Sequence, residues 1–138
     1  MERLHTRPDL LLAVAVGGLV GTAARYLLAG ELPTDAGAWP TATLVVNVVG
    51  AFVLGVLLEG LTRSGPDDGW RRRVRLGVGT GFCGGLTTYS ALAVQVDLLV
   101  RDGRWGLAAT YGVISVLAGL LACATGVAVA ARSVQRTQ

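Results

Sequence analysis

Lysine is absent, histidine occurs once, cysteine twice, and charged and aromatic residues make up only 15% and 6% of the 138 positions. Each scarcity excludes something. His5 stands alone in a polar leader, so neither a Ser–His–acid constellation nor a histidine-based metal site can be assembled, and no enzyme chemistry is visible. Cys83 and Cys123 both fall inside apolar runs without other ligands nearby, which removes a disulfide framework and a zinc site and leaves two small packing residues. Few aromatics means no stacking platform, and the net charge of +3 rests on twelve arginines that mostly separate apolar runs, a pattern that reports membrane orientation rather than nucleic-acid binding. Carboxylates are missing from the middle of the runs as well: Glu59 and Asp97 lie near their ends.

What is present is apolar. Hydrophobic residues make up 52% of the chain and the mean hydropathy is +0.57, the composition of a membrane protein. Four runs, at about 10–29, 41–61, 74–100 and 105–131, are long enough to cross a hydrocarbon core of roughly 30 Å, which predicts an all-α, single-domain, four-span membrane protein. The basic start and the small residues Thr22, Ala23 and Ala24 would also suit a signal peptide, but the first run continues past them and three more follow, so a retained helix explains more.

Arginine falls unevenly. The leader (Arg3, Arg7), the second connection (Arg63, Arg71, Arg72, Arg73, Arg75) and the tail (Arg132, Arg136) carry nine, against none in the first connection and two, Arg101 and Arg104, in the third. By the positive-inside rule both termini and the second connection are cytoplasmic, in a cell-membrane protein of several passes. An antiparallel homodimer needs each copy to insert both ways, so this bias points to one orientation and a related partner of opposite bias.

The third run carries the densest motif. Gly77, Gly79, Gly81, Gly84 and Gly85 fit five glycines into nine positions, and Thr87, Thr88, Tyr89 and Ser90 follow at once. At about 1 kcal/mol per glycine this is a poor helix, and the adjacent hydroxyls suit an unwound backbone, so a mid-membrane break is expected; close helix packing is the competing reading. The Gly-x-Gly-x-x-Gly match at Gly79, Gly81 and Gly84 is false, because it has no βαβ unit and no acidic residue about 20 positions on. Thr43 and Asn47 share one face of the second run and Tyr111 and Ser115 one face of the fourth, each pair four residues apart. Asn47 is a mid-span amide able to donate to an anion or to another helix. Arg25, near the outer end of the first run, either snorkels to the headgroups or sits as a positive charge in a vestibule.

With these residues in place, the chain resembles the Fluc (CrcB) fluoride channels over all four runs. The likeness rests on Gly17-Gly-x-x-Gly-x-x-x-Arg25-Tyr26, on Thr43-Leu-Val-Val-Asn47-Val-Val-Gly50 and on Gly81-Phe-Cys-Gly-Gly-Leu-Thr-Thr. It implies two antiparallel subunits, as a homodimer or a heterodimer, with pores along their interface that let fluoride leave the cytoplasm and a structural Na⁺ at the centre. It assigns the backbone carbonyls of Gly84 and Thr87 to that Na⁺. It assigns Asn47, Thr43, Tyr89, Ser90, Tyr111 and Ser115 to the fluoride pathway and Arg25 to the vestibule.

The chain departs from the family pattern Thr-Thr-Phe-Ser-Thr-Phe-Ser-x-Glu, because it carries Tyr89, Ala91, Leu92 and Gln95 where the pattern has phenylalanine, threonine, phenylalanine and glutamate. Two other readings stand beside the channel. One is a four-span multidrug exporter, which should carry an embedded carboxylate, and the other is a non-conducting subunit that supports a conducting partner.

Overall fold

The computed structural model describes residues 7–32 and 39–135, and side chains to residue 133. Arg3 and His5 of the leader, the middle of the first connection and Arg136 therefore lie outside the described residues. α1 (Pro8–Glu31) starts with Pro8, whose missing N–H costs nothing in a first turn, and with Asp9 against the positive end of the helix dipole. α2 (Thr41–Ser64) stops at Gly65, where φ of +127° suits only glycine. The second connection is not all loop. Its arginines begin a helix, α3 (Gly69–Val74), which runs directly into a π-helical segment (Arg75–Cys83) and one α turn, α4 (Gly84–Leu86).

The chain then leaves the helix for two residues, Thr87 and Thr88, both with extended backbone, before α5 (Tyr89–Arg101) resumes. A tight turn through Gly103 leads to α6 (Trp105–Gln135). The described residues are all helix and connection, and four helical stretches are long and apolar enough to cross a membrane: α1, α2, the stretch from Gly69 to Arg101, and α6. Large apolar side chains such as Leu12, Leu19, Leu117, Leu120 and Leu121 point outward, as suits a lipid-facing surface.

Two parallel pairs organise the bundle. Along α1 the close approaches are Gly17 to Gly77, Gly21 to Phe82 and Gly18 to Gly85, so both elements climb in the same direction. Along α2 and α6, the Pro40 carbonyl meets Tyr111 and Gly55 meets Cys123, again in the same sense. α1 and α2 hardly touch each other directly; α5 leans on α6 and closes one end, where Leu99, Ala108 and Tyr111 form a buried cluster beneath Trp39. Each seam rests on glycines that no other residue can replace. A methyl at Gly17 or Gly21 would collide with a carbonyl of the π segment, and one at Gly55 or Gly126 with a carbonyl of the other helix.

The arginines of the second connection are paired. Arg73 bonds Asp9 at 3.1 Å, which fixes the start of α1 beside α3, and Arg75 grips Asp67 through two bonds at 2.9 and 2.8 Å. That hydrogen-bonded guanidinium holds the Asp67 carboxyl below the usual carboxylate range.

Candidate functional site

The glycine run does not itself unwind. All five glycines are helical, and three of them, Gly77, Gly81 and Gly85, press against the backbone of α1, so the packing reading describes them and the interruption falls just beyond. What breaks the helix is a set of side chains that outbid its own hydrogen bonds. Asn47 Oδ1 accepts the Thr88 N–H at 2.7 Å, while its Nδ2 donates to the Thr88 carbonyl at 3.0 Å, forming a two-bonded clasp from α2. The Ala91 N–H donates to Thr88 Oγ1 at 3.1 Å, which caps α5, and the Ser90 hydroxyl lies 3.2 Å from the same oxygen.

These diversions have a backbone consequence. In an unbroken α-helix the Thr88 N–H would serve the Gly84 carbonyl and the Ala91 N–H the Thr87 carbonyl. Both amides are turned elsewhere, so the carbonyls of Gly84 and Thr87 are among those that the interruption deprives of their helical partners. Thr87 itself is held by its N–H and its hydroxyl, both donating to the Cys83 carbonyl at 2.9 and 2.8 Å. A groove of about 350 Å³ runs along this side, lined by Gly50, Thr80, Gly84 and Thr87 among others.

Asn47 is thus half committed. Its amide has two N–H groups and one is spent on Thr88, while Asn47 lines an opening of about 240 Å³ together with Thr87, Thr88, Tyr89 and Leu92. Tyr89 lies at the rim of that opening and is 82% exposed, far from the buried ring of Tyr111.

A second polar cluster lies one to two turns further along. Gln95 Nε2 donates to Thr43 Oγ1 at 2.9 Å, and the Tyr111 hydroxyl donates to Gln95 Oε1 at 2.7 Å, tying α2, α5 and α6 together. Trp39 meets Tyr111 edge to face at 5.5 Å, and the Pro40 carbonyl is 3.4 Å from the Tyr111 hydroxyl. Ser115, one turn beyond Tyr111, is buried, and its hydroxyl has no hydrogen-bond partner among the described residues. Sequence reasoning noted Gln95 only as a replaced glutamate and missed it as the hub. The signal was available, since Thr88, Gln95 and Leu99 recur on one face of α5 that is otherwise apolar.

Arg25 reaches neither cluster directly. It is half-buried, makes no ion pair among the described residues, and lines a groove of about 350 Å³ whose other walls include Thr22, Thr43, Thr88 and Ala91. The structure therefore brings Thr43 and Tyr111 together through Gln95 with Ser115 one turn on along α6, sets Asn47, Ser90 and Tyr89 around the interruption, and leaves Arg25 across a groove from both.

The comparisons with known proteins agree with this architecture. The family described as CrcB-like protein, Camphor Resistance (CrcB), matches residues 12–127. Among curated relatives, the protein named fluoride-specific ion channel FluC 2 of Leifsonia xyli subsp. xyli is 49% identical over 93% of this chain and 86% of its own length. FluC 1 of Cutibacterium acnes is 48% identical over 86% and 82%, and FluC of Caulobacter vibrioides 40% identical over 87% and 94%. With four membrane-crossing stretches, a clasped interruption in the third and a match that spans nearly all of it, this chain is a multi-pass membrane protein that belongs to the CrcB-like family.

Proposed function

We propose that the chain forms a fluoride-selective channel that lets the ion leave the cytoplasm passively. The observation that carries this is the chemistry of the strip. Hydroxyls and amides of Thr43, Asn47, Thr88, Ser90, Gln95, Tyr111 and Ser115 stand together with no carboxylate among them, and Arg25 supplies positive charge at the groove. A small, strongly hydrated anion gives up water only where donors replace it. A proton-coupled exporter would need an embedded acid, whereas Glu59 and Asp97 are each ion-paired to an arginine one turn on, at helix ends. Reconstitution of the purified chain in liposomes, with release followed by a fluoride electrode, tests the reading. Fluoride should escape and chloride should stay; equal chloride flux would sink it.

The assembly we infer is two antiparallel chains with the interruption at membrane depth. The carbonyls of Gly84 and Thr87, freed by the Asn47 clasp and the Thr88 cap and belonging to residues that border an open groove, fit the oxygen ligands of a hard cation such as Na⁺, one pair from each chain. When bound, that ion supplies fixed positive potential between the subunits. Both termini face the cytoplasm in this reading. The arginine bias then favours a related partner over a second copy of this chain. Cysteines placed in the leader and in the third connection, labelled in whole cells with an impermeant reagent, decide this: one-sided labelling supports the partner, and comparable labelling of both supports a homodimer.

A further inference from the structure

We infer that Gln95 is a latch on this subunit's own polar strip, holding it closed to anions until its amide leaves Thr43 and Tyr111. The inference rests on the channel reading and concerns a step within it. Tyr111 is completely buried and its phenol has a single proton, which is given to Gln95 Oε1 at 2.7 Å. While that bond stands, Tyr111 has no proton to offer an anion. Thr43 Oγ1 accepts from Gln95 Nε2 at 2.9 Å, which holds the amide in place for the Tyr111 proton.

The position of the amide matters as much as its bonding. Thr43 is also a wall of the groove that Arg25 lines, so the amide stands between that groove and the fourth helix. One turn beyond Tyr111 lies Ser115, buried to 6% exposure. One glutamine thus decides whether the Tyr111 proton serves its amide or an ion.

The test uses the full chain with Cys83→Ala and Cys123→Ala, adding Ser115→Cys as a reporter and measuring its reaction rate in liposomes with 2-sulfonatoethyl methanethiosulfonate, a small anionic thiol reagent. Gln95→Ala should speed labelling about tenfold or more, the scale of losing hydrogen bonds that favour the closed form. Gln95→Glu, which accepts from Tyr111 and Thr43 in the same place, should restore a rate within about twofold of the parent. Tyr111→Phe removes one bond at constant ring volume and should raise the rate about threefold to tenfold, so it serves if Gln95→Ala does not fold. Equal rates in parent and both opening variants, or a Gln95→Glu rate as high as that of Gln95→Ala, would overturn the latch. Fluoride release is measured on the same vesicles. Faster labelling without any fluoride release keeps the latch and removes the channel reading, whereas fluoride release with unchanged labelling does the reverse.

Discussion

The seam between α1 and the π segment and the strip shared by α2, α5 and α6 join helices by opposite means. At the first, glycines let backbone meet backbone, and no side-chain hydrogen bond crosses among the described residues. At the second, Asn47, Gln95, Thr43 and Tyr111 join helices through side-chain bonds between 2.7 and 3.0 Å, over distances of up to 52 residues in sequence. Close packing gives contacts that cannot rearrange without disruption. Hydrogen bonds of about 1 kcal/mol each can be exchanged for others. The difference assigns rigidity to one side of the bundle and adaptability to the other.

The comparison breaks most easily at the rigid side. Gly17→Val sets two methyls against the Gly77 carbonyl and should cost about 3 kcal/mol or more, seen as loss of the monodisperse peak in size-exclusion chromatography. Gly84→Ala, with open space around it in the single chain, should leave that peak intact. If the second-chain reading is right, Gly84→Ala instead shifts mass from two chains toward one.

Asn47→Asp comes next. An aspartate keeps the acceptor for the Thr88 N–H but sets a carboxylate against the Thr88 carbonyl where Nδ2 now donates, which should cost about 1–3 kcal/mol and abolish fluoride release. Hydrogen exchange should show faster exchange at Thr88 and Ala91 with the α1 seam unchanged. Loss of protection in both regions would show that the two sides are not separable.

Thr88→Val sharpens the same distinction with a smaller effect. It removes the α5 cap, worth about 1 kcal/mol, and should expose the Ala91 amide while leaving α2 and α6 protected.

The smallest effect lies at the arginine-rich end. Because Arg75 lowers the Asp67 pKa in the fold, the contribution is present above the unfolded value near 3.8 and fades as pH falls through the lower folded value. Thermal unfolding compared between parent and Asp67→Asn should differ slightly at neutral pH and converge in acid. The pair is largely exposed, so a large difference would point to a structural role beyond this ion pair.

Much of this was legible from the residues. Four apolar runs separated by polar connections specify four helices, because hydropathy and length suffice for that. The glycine cluster was legible as special, but its sequence could not separate packing from unwinding, since both favour small residues; the answer depends on which helix lies alongside. The interruption belongs to Asn47, which is 41 residues from its partner, a contact no local pattern encodes. Gln95 was hidden for the same reason. Its role needs Thr43 and Tyr111 brought together from two other helices, whereas the i to i+4 pairs Thr43 with Asn47 and Tyr111 with Ser115 could be read directly.

One further consequence concerns membrane thickness. Between Trp105, exposed at the start of α6, and Arg132 near its end lies about 40 Å of helix, at about 1.5 Å per residue, against a hydrocarbon core of roughly 30 Å. α6 therefore leans or overshoots. Its parallel glycine seam with α2 obliges α2 to lean with it and carry Thr43 and Asn47 along. A thinner bilayer demands more tilt, so lipid chain length acts on the geometry of the polar strip without touching any of its residues.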